Sequence, residues 1–130
     1  MIVVDASVIA TALLDDFTTG DRARAAVAAH DLAAPHLLDC EVASVLGRAR
    51  LRGDVSADRV RQALGDLIDL PVMRVPHTPL LERMWELLPT VTSYDAAYVA
   101  LAEALGAPLL TADRRLAGAS GPTCEFRMFS

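Results

Sequence analysis

The chain predicts an α/β fold: a mostly parallel central sheet flanked by helices. Three observations carry this. Runs such as Ile2-Val3-Val4 and Leu109-Leu110 are continuously apolar, as in strands buried on both faces. Helical patterns separate these runs, which gives the alternation of βα units. Two of the runs end close to an aspartate, Asp5 and Asp113. In an open α/β sheet, ligands bind beyond the carboxyl ends of the strands, so both acids are expected at one edge of the sheet.

Each element follows from local chemistry. Residues 2–4 form the first strand, and a short helix runs from Ala6 to Leu14. Asp15-Asp16 and Thr18-Thr19-Gly20 break that helix, and Asp21 caps a second one over Arg22 to His30. Leu32 to Pro35 is a second strand. A longer helix runs from Leu37 to Arg52, with Gly53 as the residue just past its end. Ser56 caps the next helix, Ala57 to Leu70. Pro71 to Pro76 is extended and proline-bounded, a third strand. Thr78 followed by Pro79 reads as an N-cap with proline at the first helical position, opening a helix through Leu88. Ser93 to Leu105 is a further helix, stopped by Gly106-Ala107-Pro108. Leu109 to Thr111 is the fourth strand, and a turn or short helix carries Asp113 to Leu116. Gly118 to Pro122 is a loop. Cys124 to Phe129 roughly alternates and reads as an edge strand. No repeat, low-complexity tract or linker interrupts the chain.

Composition narrows the function. A chain of 130 residues fits one domain and buries about two-thirds of its unfolded surface. No apolar stretch approaches the ~20 residues of a membrane span, and the N-terminus lacks the basic region and cleavage pattern of a signal peptide. Cys40 and Cys124 are isolated, outside any zinc-like spacing, and are expected to be buried reduced thiols. Reduced thiols without a signal peptide point to the cytoplasm. The formal charge of −5 argues against a general polyanion binder. Bound cations can still supply local positive charge to a nucleic-acid enzyme. All 12 basic side chains are arginine. Without lysine there is no Walker A loop, no Schiff-base chemistry and no lysine-assisted aspartyl phosphate.

The acids have both structural and chemical readings. Asp5 follows a strand and precedes a helix, so it suits an N-cap, and Ser7 adds a hydroxyl two residues on. Thr92 and Asp95 form a capping-box-like T-x-x-D, with Asp95 on the flank of the face carrying Tyr94, Ala97, Tyr98, Leu101 and Leu105. In the long helix, Leu38, Val42, Val45, Leu46 and Ala49 form the buried stripe. Glu41 lies roughly 80° to one side of it and Asp39 a similar angle to the other, so periodicity does not choose between them. Arg48 and Arg52 fall on Glu41's side. Asp113 again suits a cap, with Thr111 before it and Arg114 and Arg115 after it. His30, His36 and His77 sit at element boundaries or on the surface, with no triad-like context. Gathered together, such carboxylates suit magnesium, which takes hard oxygen ligands, usually one or two carboxylates per ion. A pair of ions suits phosphodiester cleavage.

Several segments together resemble the PIN-domain family, specifically VapC-type toxin ribonucleases. They are Val3-Val4-Asp5-Ala6-Ser7, the start of the long helix through Glu41, Ser93-Tyr94-Asp95-Ala96-Ala97-Tyr98-Val99-Ala100-Leu101-Ala102, and Leu110-Thr111-Ala112-Asp113-Arg114. The resemblance covers nearly the whole chain. It implies a single PIN-like domain over 1–130 with a three-layer fold. It implies an acidic quartet of Asp5, Glu41, Asp95 and Asp113 as catalytic and metal-holding residues, with Ser7 and Thr111 as supporting hydroxyls. It favours Glu41, with Asp39 as the alternative. The implied activity is Mg2+- or Mn2+-dependent endoribonuclease action, hydrolysing RNA phosphodiester bonds by metal-activated water. The implied partners are an RNA substrate, a small cognate antitoxin and a second copy in a homodimer, with no membrane. The competing expectation is a catalytically silent PIN-fold module that only engages a partner protein.

Overall fold

A computed structural model describes all residues, Met1–Ser130. The elements in chain order are β1 (Ile2–Val4), α1 (Ala6–Leu14), α2 (Thr18–Ala28), β2 (Leu32–Pro35), α3 (Leu37–Leu51), α4 (Ala57–Asp69), β3 (Val72–Val75), α5 (Leu81–Leu87), α6 (Ser93–Leu105), β4 (Leu109–Thr111), α7 (Arg114–Ala117) and β5 (Phe126–Met128). The five strands form one sheet in the order β3-β2-β1-β4-β5, and every pairing is parallel. Chain order reverses between β1 and β4, so the crevice beyond their carboxyl ends is the topological switch point of the sheet. α1 to α4 pack together on one face and α5 packs with α6 on the other, as right-handed crossovers from a sheet of this order require.

The core explains why the apolar runs are unbroken. Ile2, Val3 and Val4 are all essentially inaccessible, as are Ala33, Ala34 and Leu109. α6 is the other half of this core, with seven consecutive buried residues from Ala96 to Ala102. Four of the seven are alanine, whose small side chains let the helix lie close over β1, β2 and β4. This burial holds the start of α6, and with it Asp95, near the strand ends.

Two helix starts and one burial differ from expectation. α2 begins at Thr18, a turn before the expected start, with Asp21 inside its first turn and paired to Arg24 at 2.7 Å. The glycine read as a breaker is instead a close approach: a Cβ on Gly20 would fall 1.8 Å from the carbonyl oxygen of Asp15. Only glycine lets α2 fold back against α1 at that point. Thr78–Leu80 forms a 3₁₀ turn, and the α-helix starts only at Leu81. Thr78 does not cap it; His77 precedes the turn without a side-chain hydrogen bond. Cys40 is exposed, not buried, because it lies off the Leu38, Val42, Leu46, Ala49 stripe that α3 turns to the core. Cys124 is half-buried, and both thiols are free. No helix is long and apolar enough to cross a membrane.

Arginine does much of the fastening. Arg24 donates to the carbonyls of Ala12 and Asp15, and Arg59 to that of Leu13, so two guanidinium groups satisfy the C-terminal end of α1. Arg74 makes a two-pronged contact with Asp39 at 2.8 and 3.0 Å. Arg83 grips Glu103 and the carbonyl of Gly121, tying the loop after α7 to α5 and α6.

Candidate active site

Asp5 leaves β1 at the switch point and caps α1. Its Oδ1 accepts the backbone N–H groups of Ser7 and Val8 and, at 2.6 Å, the Ser7 hydroxyl. Its Oδ2 accepts the hydroxyl of Thr111, the last residue of β4. Thr111 is fully buried, and its oxygen also accepts the Asp113 N–H at 3.0 Å. One threonine hydroxyl thus ties the ends of two adjacent strands together and sets the spacing of their acids. Asp113 caps α7 through Oδ1, which takes the N–H groups of Arg115 and Leu116.

The other two acids come from helices. Glu41 projects from the first half of α3, and its Oε1 accepts the Tyr98 hydroxyl of α6 at 2.7 Å. Asp95 lies in the first turn of α6, where Thr92 accepts its N–H at 3.2 Å. The expected caps at Asp5, Thr92 and Asp113 are therefore real, and they aim these side chains as well as ending helices. All four acids line one cleft of about 300 Å³, together with Ser7, Ser44, Arg48 and Tyr98. Thr111 sits behind the cleft wall, as a support for Asp5. Asp39 is turned away to Arg74 and Arg52 pairs with Asp54, so neither reaches the cleft. The two flanking residues that periodicity left equivalent are separated by their partners.

The electrostatics of the cleft are unbalanced. Its lining carries four carboxylates against the single guanidinium of Arg48. Burial raises the Glu41 carboxyl above the usual range, and the charges of Asp95 and Asp5 add to this; the Tyr98 hydroxyl opposes it. Burial also raises Asp95, with the charge of Asp113 adding and the Thr92 hydroxyl opposing. Burial and the bond to Glu41 raise the Tyr98 phenol far above its ordinary value, so it remains a donor. The donor set is all oxygen, the chemistry a hard divalent cation prefers. No three acidic, histidine or cysteine side chains close into a ready-made cage. An open arrangement of this kind suits an ion that keeps several of its waters.

Tyr98 and Ser44 were not anticipated as site residues. Both had a readable signal: each lies three residues beyond a site acid on its helix, Tyr98 after Asp95 and Ser44 after Glu41, so each pair shares a flank. Ser44 accepts a hydrogen bond from Arg48 at 2.7 Å, which steadies that guanidinium.

Comparison with known proteins agrees with this architecture. Residues 2–121 match the family model for the PIN domain. Ribonuclease VapC1 of Mycobacterium tuberculosis is 52% identical over 96 residues, 73% of this chain and 72% of that protein. VapC ribonuclease Mb0985 of Mycobacterium bovis is 46% identical over 124 residues, 95% of this chain and 94% of that protein. Among solved structures, VapBC2 from Rickettsia felis bound to a promoter DNA fragment matches with a TM-score of 0.68, covering 100% of both chains at 12% identity. A five-stranded parallel sheet, a cleft of acids at its switch point and two VapC relatives so alike in sequence have one reading: the chain belongs to the PIN-domain family, as a VapC-type member.

Proposed function

We propose that residues 1–130 form a single PIN-like domain that acts as a divalent-metal-dependent endoribonuclease, the toxin of a toxin–antitoxin pair. The observation that carries this is the convergence of Asp5, Glu41, Asp95 and Asp113, from four separate parts of the chain, on one cleft. Relatives named ribonucleases support the activity, and a solved neighbour described as a toxin–antitoxin complex from Klebsiella pneumoniae supports an antitoxin partner. A second copy of the chain, a cytoplasmic location and an RNA substrate belong to the same reading. Large exposed apolar side chains such as Phe17, Leu51, Ile68 and Trp85 offer surface for protein partners.

The four carboxylates would hold Mg2+ or Mn2+. A bound ion of this kind activates water for attack and stabilises charge on the scissile phosphate. The chain's own groups prepare the site. Thr111 and Ser7 fix both oxygens of Asp5, so that carboxylate needs no reorganisation when a substrate arrives. Tyr98 occupies Oε1 of Glu41 and sets the plane of its carboxylate. Ser7 has its hydroxyl committed to Asp5 and orients rather than attacks.

The decisive experiment incubates the purified chain with mixed RNA, with Mg2+, Mn2+ or a chelator, beside Asp5→Asn. Cleavage that needs the ion and is lost in the variant supports the reading. Equal cleavage by Asp5→Asn would mark a contaminant and sink it. Failure of both to cut, with tight binding to a small neighbour-encoded protein, would favour the silent binding module.

A further inference from the structure

A second cavity, of about 480 Å³, adjoins the acidic cleft and shares Asp95 and Asp113 with it. Whatever occupies it lies beside the reacting centre. Its walls combine apolar surface from Leu88, Val91, Leu116 and Ala119 with the polar groups of Thr92 and Arg115. A volume in this range suits a small-molecule-sized group, and the mix of apolar surface and a few polar atoms is what a base and its sugar need. The wall is also firmly built. Thr90 donates to the Ser120 carbonyl at 2.6 Å, Arg83 to the Gly121 carbonyl at 2.9 Å, and the Thr123 N–H to Glu103 at 2.7 Å. Glu103 is in turn held by Arg83 at 2.7 Å, with only 13% of its side chain exposed. These bonds fasten the loop carrying Ala119 to α5 and α6, so the cavity exists before any ligand enters, and preorganisation lowers the cost of binding.

The arginines separate in the same way. Arg52, a candidate phosphate contact by sequence, is spent on Asp54. Arg48 lines only the first cavity and Arg115 only the second, and neither is ion-paired with an acid of the chain. They bracket the carboxylates along one continuous path. In a chain of net charge −5, these are the cationic groups lining the two cavities that can meet a polyanion there.

We propose that the second cavity is a nucleoside subsite for the residue next to the scissile phosphate, with Arg115 holding the adjoining phosphate. This rests on the ribonuclease reading above and adds to it a binding position beside the cut.

The test uses a fluorescein-labelled single-stranded RNA of about ten nucleotides, long enough to span both cavities. Binding is read by anisotropy in Mg2+ in an Asp5→Asn background, and cleavage in the otherwise native chain. Arg115→Ala removes the phosphate contact, and Ala119→Trp fills the cavity. Each is expected to weaken binding about tenfold. In the active background each raises KM by a similar factor while kcat stays within about threefold, as for loss of uniform binding. Arg115→Lys restores part of the loss. Arg61→Ala, which removes an exposed charge from α4, changes binding less than about twofold. If Ala119→Trp proves unfolded by melting, Ala119→Leu and Arg115→Ala carry the test. Tight binding left unchanged by these variants overturns the subsite while leaving the nuclease reading intact. A parent chain that neither binds nor cuts RNA removes both proposals together.

Discussion

The strand-end acids, Asp5 and Asp113, and the helix-borne acids, Glu41 and Asp95, occupy one cleft but are held there by opposite means. Asp5 accepts four hydrogen bonds and Asp113 two, from helix N-termini and from Ser7 and Thr111. Their charges are what the local backbone wants. Glu41 has one donor, Asp95 has only the nearby Thr92 hydroxyl to favour its charge, and both carboxyls are pushed up by burial and by neighbouring acids. The first pair stabilises the fold while serving the site. The second pair is held at some cost in stability, the pattern expected if the proposed site takes a ligand of opposite charge.

The sharpest break of this comparison is at Asp5. Asp5→Asn is expected to reduce cleavage by at least about a hundredfold, more than loss of a supporting partner alone. The amide keeps an acceptor for the cap, so folding survives. Asp5→Ala additionally loses the cap and about 1–2 kcal/mol, measured by denaturant unfolding.

Glu41→Gln and Asp95→Asn are expected to cost activity on a similar scale while shifting stability the other way. In the metal-free protein, each raises the melting temperature by roughly 3 °C. The sign in pH follows from the raised carboxyls. Their contribution is complete below the unfolded carboxyl value, which is 4.5 for Glu41 and 3.8 for Asp95, and is lost as pH rises through the folded value. The metal-free native chain therefore gains stability as pH falls from neutral, and the Glu41→Gln/Asp95→Asn double variant or added Mg2+ flattens that gain. Glu103 runs opposite. Arg83 holds its carboxyl below the ordinary 4.5, so its stabilisation is present above that value and is lost as pH falls through the folded value. Melting curves that fall steadily from neutral to acid pH would erase the distinction between the two pairs of site acids.

Tyr98→Phe sharpens the comparison at a smaller scale. It removes Glu41's only side-chain donor, so that carboxyl rises further and the acid limb of the pH–rate profile moves to higher pH. Activity at neutral pH falls about tenfold, and unfolding loses about 1 kcal/mol. Asp39→Asn is the smallest effect expected. It loosens the half-exposed contact to Arg74 and leaves cleavage within about twofold.

Residues close together in sequence were legible because their chemistry is local. Ser56 caps α4 as its position predicts, accepting the Arg59 N–H at 3.1 Å. Gly53, at φ +78°, takes the left-handed conformation expected just past α3. The misread start of α2 has a long-range cause in the contact of Gly20 with Asp15, which no propensity registers. Cys40 failed for a related reason: thiols are commonly buried, but the face a helix buries is set by the whole stripe.

Sequence alone determined the strand and helix alternation, the caps at Asp5, Thr92 and Asp113, the exclusion of lysine chemistry and, through resemblance, the family. These follow from the order of residues, because caps, periods and composition act over a few positions or over the chain as a whole. Tertiary structure alone decided that Arg74 claims Asp39, that Thr111 bridges the two strand ends, that Tyr98 meets Glu41 across 57 residues, and that a second cavity opens beside the acids. Each of these depends on which helix face and which strand neighbour the packed core selects. A period of 3.6 residues names two flanks of a helix, and only the partner brought alongside tells them apart.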